Sequence, residues 1–164
     1  MHKSFVFRRQ FPLFCFCSFL GLLLGFAFAL RADASLLSWM RLAVKSRVSI
    51  FVSLSCALPF LIAAHAVLIE QWNLLHLLGF LRFFCWGLCA GICVGTFGSA
   101  AWLVQPMLQF SDSVSLLLLC LCCARWCDAD KLTPKRDLCI ALSVTLFAVV
   151  MDYFIVSPYL ATLF

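Results

Sequence analysis

The sequence predicts an all-α protein that crosses a membrane several times. Of its 164 residues, 65% are hydrophobic and only 12% are charged, whereas a soluble domain carries about 25% charged and about 45–50% apolar residues. Such a chain has too few polar side chains to cover a water-facing surface, and several uncharged runs approach the roughly 20 residues that cross the hydrocarbon core. We expect five transmembrane helices in one integral membrane domain, residues 1–164, with spans at 11–30, 49–69, 83–104, 107–124 and 138–156.

The first uncharged run, residues 11–30, follows a basic segment that contains Lys3, Arg8 and Arg9. The small residues at 32–34 would fit a signal-peptidase site, but the apolar core of a signal peptide is usually about 7–15 residues long. Because this run is longer, an uncleaved signal anchor is the favoured interpretation. Cleavage would leave four transmembrane helices.

The segment 31–48 is predicted to form a short amphipathic helix at the membrane interface. Its apolar residues recur at helical spacing and basic residues surround them, which is typical of a helix lying in the interfacial plane. Trp39 would lie at headgroup depth. The basic residues are Arg31, Arg41, Lys45 and Arg47.

Prolines and polar residues set the other boundaries. Pro59 predicts a kink in the second span, and Pro106 predicts the turn between the third and fourth spans. The fourth span needs extra length, so residues 111–113 are placed near its outer end. Residues 125–137 form the most polar loop, and Pro158 is expected to end the fifth span.

The distribution of lysine and arginine predicts the orientation. With a cytoplasmic N-terminus, the inside segments 1–10, 70–82 and 125–137 carry eight of these residues, and the outside segments carry four. Basic residues concentrate on the cytoplasmic side, so we expect the N-terminus inside and the C-terminus outside, in the cell membrane. Segment 31–48 opposes this assignment. Because the net charge of +5 comes from short segments between apolar runs, no nucleic-acid binding is expected.

The stretch CWGLCAGICVGTFG, residues 85–98, predicts the main packing helix. It contains two ladders of small residues, each with a repeat of four and separated by about 200° around the helix. Because helices in lipid associate by close approach of small residues, both faces are expected to pack, and this span would contact a second copy or another membrane protein. Leucine at Gly91 should be disruptive and alanine much milder. The ladders are Gly87, Gly91 and Gly95, and Cys85, Cys89 and Cys93.

The 11 cysteines do not predict a disulfide framework, because nearly all lie within or at the ends of apolar runs. There a thiol behaves as a small hydrophobic group. Cys120, Cys123 and Cys127 form one helical stripe, for which a metal or redox site and lipidation are the functional alternatives. The spacing matches no known zinc pattern, so we expect interfacial packing and no metal or cofactor.

Asp152 is the only acid well inside an apolar run. An acid at a helix centre costs about 2.5–3.5 kcal/mol on insertion scales. Two interpretations stay open: a structural ion pair with Arg41, Lys45 or Arg47, or a proton- or cation-binding site. His65 and Arg82 are lesser candidates for such a site. His65 is expected to be buried and neutral, and Arg82 to pair with Glu70.

No motif for catalysis, phosphate binding or metal-dependent hydrolysis is found. The first hypothesis is therefore a non-enzymatic membrane protein that acts through partner proteins or by forming homo-oligomers, with the lipid bilayer as its surroundings. The second is a small transporter that uses Asp152, and a water-filled cavity at Asp152 would favour it.

The abundance of Phe, Leu, Ser and Cys in this chain has a second possible source, because the reverse strand of a Lys/Glu-rich gene is rich in the same residues. Charges that fall between runs of membrane length favour a membrane protein.

Overall fold

The computed structural model describes residues 3–38, 49–69, 71–128, 134–156 and 158–159. Within those ranges the chain is helical and contains no strand, which confirms the predicted all-α class for the described part. A 3₁₀ turn, Gly98–Ala100, and a π-helical turn, Asp152–Val156, interrupt or extend the α-helices. The long helices are α1 (Lys3–Arg31), α2 (Ser49–Leu68), α3 (Trp72–Phe97), α4 (Ala101–Leu108), α5 (Phe110–Asp128) and α6 (Pro134–Met151).

Among the described residues, three helical stretches are long and apolar enough to cross a membrane. They are Phe11–Arg31, Asn73–Met107 and Lys135–Val156, with mean hydropathies of 2.4, 1.9 and 2.3. The apolar stretch Phe110–Cys123 in α5 is shorter. The predicted third span, 83–104, covers the second half of α3, the 3₁₀ turn and the beginning of α4.

Helices α1 and α3 lie side by side and run in the same direction. The Phe14 ring is 4.8 Å from the Phe80 ring and 5.4 Å from the Phe83 ring, measured between centroids. One turn further along both helices, Ser18 lies against Gly87. Because the paired residue numbers rise together, the helices are parallel.

The chain reverses at Gly98, and α4 folds back beside α3. Gly98 has a φ of 57°, in the left-handed region that glycine adopts without steric cost. Buried Cys93 of α3 then packs with Ala101 and Val104 of α4. Pro106, the predicted turn, instead lies inside α4. The reversal therefore comes from the glycine, well before the proline.

Helix α5 continues the course of α4 and packs antiparallel to both α3 and α6. Near its start, Asp112 contacts Arg82 of α3, and Ser111 contacts Asp152 beyond α6. Near its end, Arg125 contacts Asp137 at the start of α6. The larger apolar core of the described residues lies where α2, α3, the second half of α5 and the beginning of α6 meet. It comprises Phe60, Ala63, Ala64, Leu75, Leu78, Leu119, Cys122, Cys123 and Ala141.

The predicted interfacial helix at 31–48 is described only in part. Residues 34–38 are helical, and the hydroxyl of Ser38 donates a hydrogen bond to the carbonyl of Ser35. Trp39 and the basic residues Arg41, Lys45 and Arg47 lie outside the described residues.

Candidate functional site: a glycine interface and internal polar pairs

The glycine ladder of α3 faces α1 at backbone contact distance. A methyl group added to Gly87 would overlap the backbone of Ser18, and one added to Gly91 would overlap the backbone of Leu22. At Gly95 the added group would meet the methyl group of Ala29. Alanine at Gly91 is therefore far from mild, because the colliding atoms belong to the backbone of α1 and cannot rotate away.

Helix α1 contributes glycines to the same interface, and the sequence analysis did not single them out. An added methyl group at Gly21 would overlap the carbonyl of Phe84, and one at Gly25 would overlap the carbonyl of Leu88. The signal was present in FLGLLLG, where the two glycines are four residues apart. Glycines from both helices alternate along the contact, which brings the two backbones together over about three turns.

The cysteine ladder of α3 does not form a second packed face along its whole length. Cys85 and Cys89 are exposed, and only Cys93 is buried, against α4. In the second predicted stripe, Cys120, Cys123 and Cys127, the Cys123 side chain is buried and that of Cys120 is half-buried. The Cys127 side chain lies outside the described part. All nine cysteines whose side chains are described are free thiols.

Arg82 forms an ion pair with Asp112 across the contact between α3 and α5. The Nη2 atom of Arg82 donates to Oδ1 of Asp112 at 2.6 Å, and the two side chains are 14% and 26% exposed. Arg82 lies ten residues beyond Trp72, which is about 15 Å along α3. The pair is thus at mid-helix rather than at a loop, and the predicted partner Glu70 lies outside the described residues.

A second group of hydrogen bonds lies one turn above this ion pair. The indole Nε1 of Trp86 donates to the Ser113 hydroxyl at 3.0 Å. The side-chain amide of Gln109 donates to the Trp86 carbonyl at 3.2 Å and accepts a bond from Gln105 at 2.7 Å. These bonds tie the junction between α4 and α5 to the middle of α3.

Asp152 faces the protein interior. Its residue is only 4% exposed, and its Oδ2 atom accepts a hydrogen bond of 3.2 Å from the Ser111 hydroxyl. It begins the π-helical turn Asp152–Val156, a local widening that often occurs at functional positions. Its predicted ion-pair partners Arg41, Lys45 and Arg47 lie outside the described residues.

The three predicted site residues are not brought to one place. Asp152 and Arg82 contact neighbouring residues of α5, Ser111 and Asp112. His65 is exposed on α2 rather than buried. The sequence predicts Ser111 and Asp112 near the outer end of a span. It gives no signal that Ser111 contacts Asp152 or that Asp112 contacts Arg82.

A cavity of about 380 Å³ lies between α1, α3 and α5. Its lining is mainly apolar, with Ser18, Ser113 and the indole of Trp86 as polar exceptions, and Asp152 does not line it. Within the described ranges, no group of three or more His, Cys, Asp or Glu side chains is arranged to hold a metal ion.

Comparison with known proteins identifies no relative for this architecture. No protein-family model matches the sequence, and no curated protein or solved structure shows significant similarity to it.

Proposed function

We propose that this protein is an integral membrane protein of five crossings that acts as a non-enzymatic scaffold for partner proteins. The observation that carries the proposal is the internal pairing of three acids, one each in α5, α6 and the turn beyond α6. Asp112 pairs with Arg82, Asp137 pairs with Arg125, and Asp152 accepts a bond from Ser111. Acids that are neutralised or bonded within a bundle stabilise its packing and leave little free charge for a substrate.

The proposed crossings are α1, α2, α3, the pair α4–α5, and α6 with its π-helical turn. Together α4 and α5 run antiparallel to α3, so they act as one bent crossing. The large exposed apolar side chains, such as Phe16, Leu77 and Phe147, then face lipid. The N-terminus is assigned to the cytoplasm, as the distribution of basic residues predicts.

A protein partner cannot bind the glycine face of α3, because α1 already covers it. Because α1 covers Gly87 and Gly91, a partner or a second copy would meet another part of α3. The exposed thiols of Cys85 and Cys89 mark a face of α3 made of small side chains, which allows close helix approach.

A transporter is the second candidate, and one feature supports it. Asp152 lies at a π-helical turn, and two helical turns earlier Thr145 has a buried hydroxyl without a hydrogen-bond partner among the described residues. A buried acid bonded to a hydroxyl group is a candidate proton or cation site.

A flux measurement separates the two functions. Purified protein in sealed vesicles is tested under proton, sodium and potassium gradients, with Asp152→Asn compared with Asp33→Asn, since Asp33 is exposed beyond the end of α1. The scaffold proposal predicts no flux in any of the three proteins. Flux that Asp33→Asn retains and Asp152→Asn loses, with equal thermal stability, would replace the scaffold by a transporter.

A further inference from the structure

The end of α5 and the beginning of α6, which face the loop between them, enclose a small cleft. This cleft is separate from the Arg82–Asp112 ion pair and the Ser111–Asp152 hydrogen bond. Its volume is about 110 Å³, and its walls include Leu118 and Leu121 from α5 and Ile140 from α6. Arg125 and Asp137 close the end nearest the loop. Sites for whole small molecules are usually about 300–1,000 Å³, so this cleft holds only part of an elongated apolar molecule.

Arg125 retains binding capacity in this position. Its Nη1 atom is 3.2 Å from Oδ1 of Asp137, but the Arg125 side chain is 61% exposed, whereas that of Asp137 is 5% exposed. A guanidinium has five N–H donors in a planar fork. The ion pair therefore uses one side of the group and leaves other donors accessible at the mouth of the cleft.

Helical spacing places a second arginine at the same end. Arg136 lies four residues before Ile140 on α6, as Arg125 lies four residues after Leu121 on α5, and residues four apart share a helix face. Arg136 and its neighbour Lys135 are exposed. Because the two helices are antiparallel, each presents a basic residue at the loop end and an apolar residue one turn deeper.

We propose that this cleft binds an anionic phospholipid. The phosphate lies against Arg125 and Arg136, and the first part of one acyl chain lies between Leu121 and Ile140. Basic pockets between helices on the cytoplasmic side suit anionic headgroups, and a guanidinium fork matches phosphate oxygens. The proposal rests on the membrane placement proposed above, and protease mapping of the chain ends tests that placement separately.

The test measures lipid retained by the full-length protein in native mass spectrometry after exposure to mixed micelles of phosphatidylglycerol or phosphatidylcholine. We expect wild type to retain phosphatidylglycerol in clear preference. Each basic residue near an anionic surface contributes roughly a fivefold factor, so Arg136→Gln should lower retention of phosphatidylglycerol by roughly that factor. Arg31→Gln is the matched control, because Arg31 is exposed at the far end of α1.

A second variant tests the apolar half of the site. Leu121 is 57% exposed, so Leu121→Trp should partly fill the cleft with little cost to folding and reduce retention while the arginines stay in place. Equal retention of the two lipids by wild type would overturn the proposal. An equal loss in Arg31→Gln and Arg136→Gln would also overturn it, because the effect would then come from overall charge.

Discussion

At the scale of single residues, the Arg82–Asp112 pair determines how α3 and α5 meet. Both side chains are mostly removed from solvent, and a buried charge is costly unless it is paired and hydrogen-bonded. A buried ion pair adds little net stability by itself, but removal of one partner leaves the other charge uncompensated. The pair therefore fixes the relative height of the two helices more than it increases their attraction.

A double-mutant cycle tests this interpretation. Arg82→Gln and Asp112→Asn should each lower the free energy of unfolding by about 1–3 kcal/mol, since each strands a partly buried charge. The double variant should cost less than the sum of the two. Denaturant unfolding in detergent measures the three values. Strictly additive losses would show that the two side chains are not coupled.

At the scale of elements, the α1–α3 contact depends on glycines in both helices. Backbone approach of this kind supplies the van der Waals contact that holds helices together where lipid removes the hydrophobic driving force. Elsewhere on their surfaces both helices carry exposed apolar side chains such as Phe19 and Leu81. One face of each helix thus fits its neighbour closely.

Alanine substitutions along α3 should show graded effects. Gly91→Ala places a methyl group against the backbone of Leu22, and overpacking of a tight contact typically costs about 1–3 kcal/mol. Gly79→Ala is the control, because the atoms nearest to its added methyl group belong to the Phe14 side chain, at 3.0 Å, and not to a backbone. Thermal unfolding in detergent should show a larger loss for Gly91→Ala. Equal losses would mean that the helices do not approach as closely as described.

The sequence was sufficient to predict helices and the glycine face of α3, because both follow from local composition and spacing. It was not sufficient to pair Arg82 with Asp112. That contact depends on where the chain reverses: Pro106 was the predicted turn, whereas the reversal lies at Gly98, eight residues earlier. A reversal at Gly98 brings Asp112 down to the level of Arg82, whereas a turn at Pro106 would leave it near the outer surface.

At the scale of the whole molecule, the contacts define the direction of each helix. Helix α1 runs parallel to α3, α5 runs antiparallel to α3, and α6 runs antiparallel to α5. Helix α2 ends at Leu68 and α3 begins at Trp72, and the Gln71 amide donates to the Ala66 carbonyl. With the five crossings proposed above, the two ends of the chain lie on opposite sides of the membrane.

Protease accessibility of the two chain ends tests the five-crossing architecture most directly. A short cleavable peptide tag is added to either end of the full-length chain, and an impermeant protease is applied outside sealed right-side-out vesicles. The architecture predicts that the C-terminal tag is removed and the N-terminal tag is protected until the membrane is dissolved. If both tags are cut or both are protected in intact vesicles, the number of crossings is even and the five-helix account is contradicted.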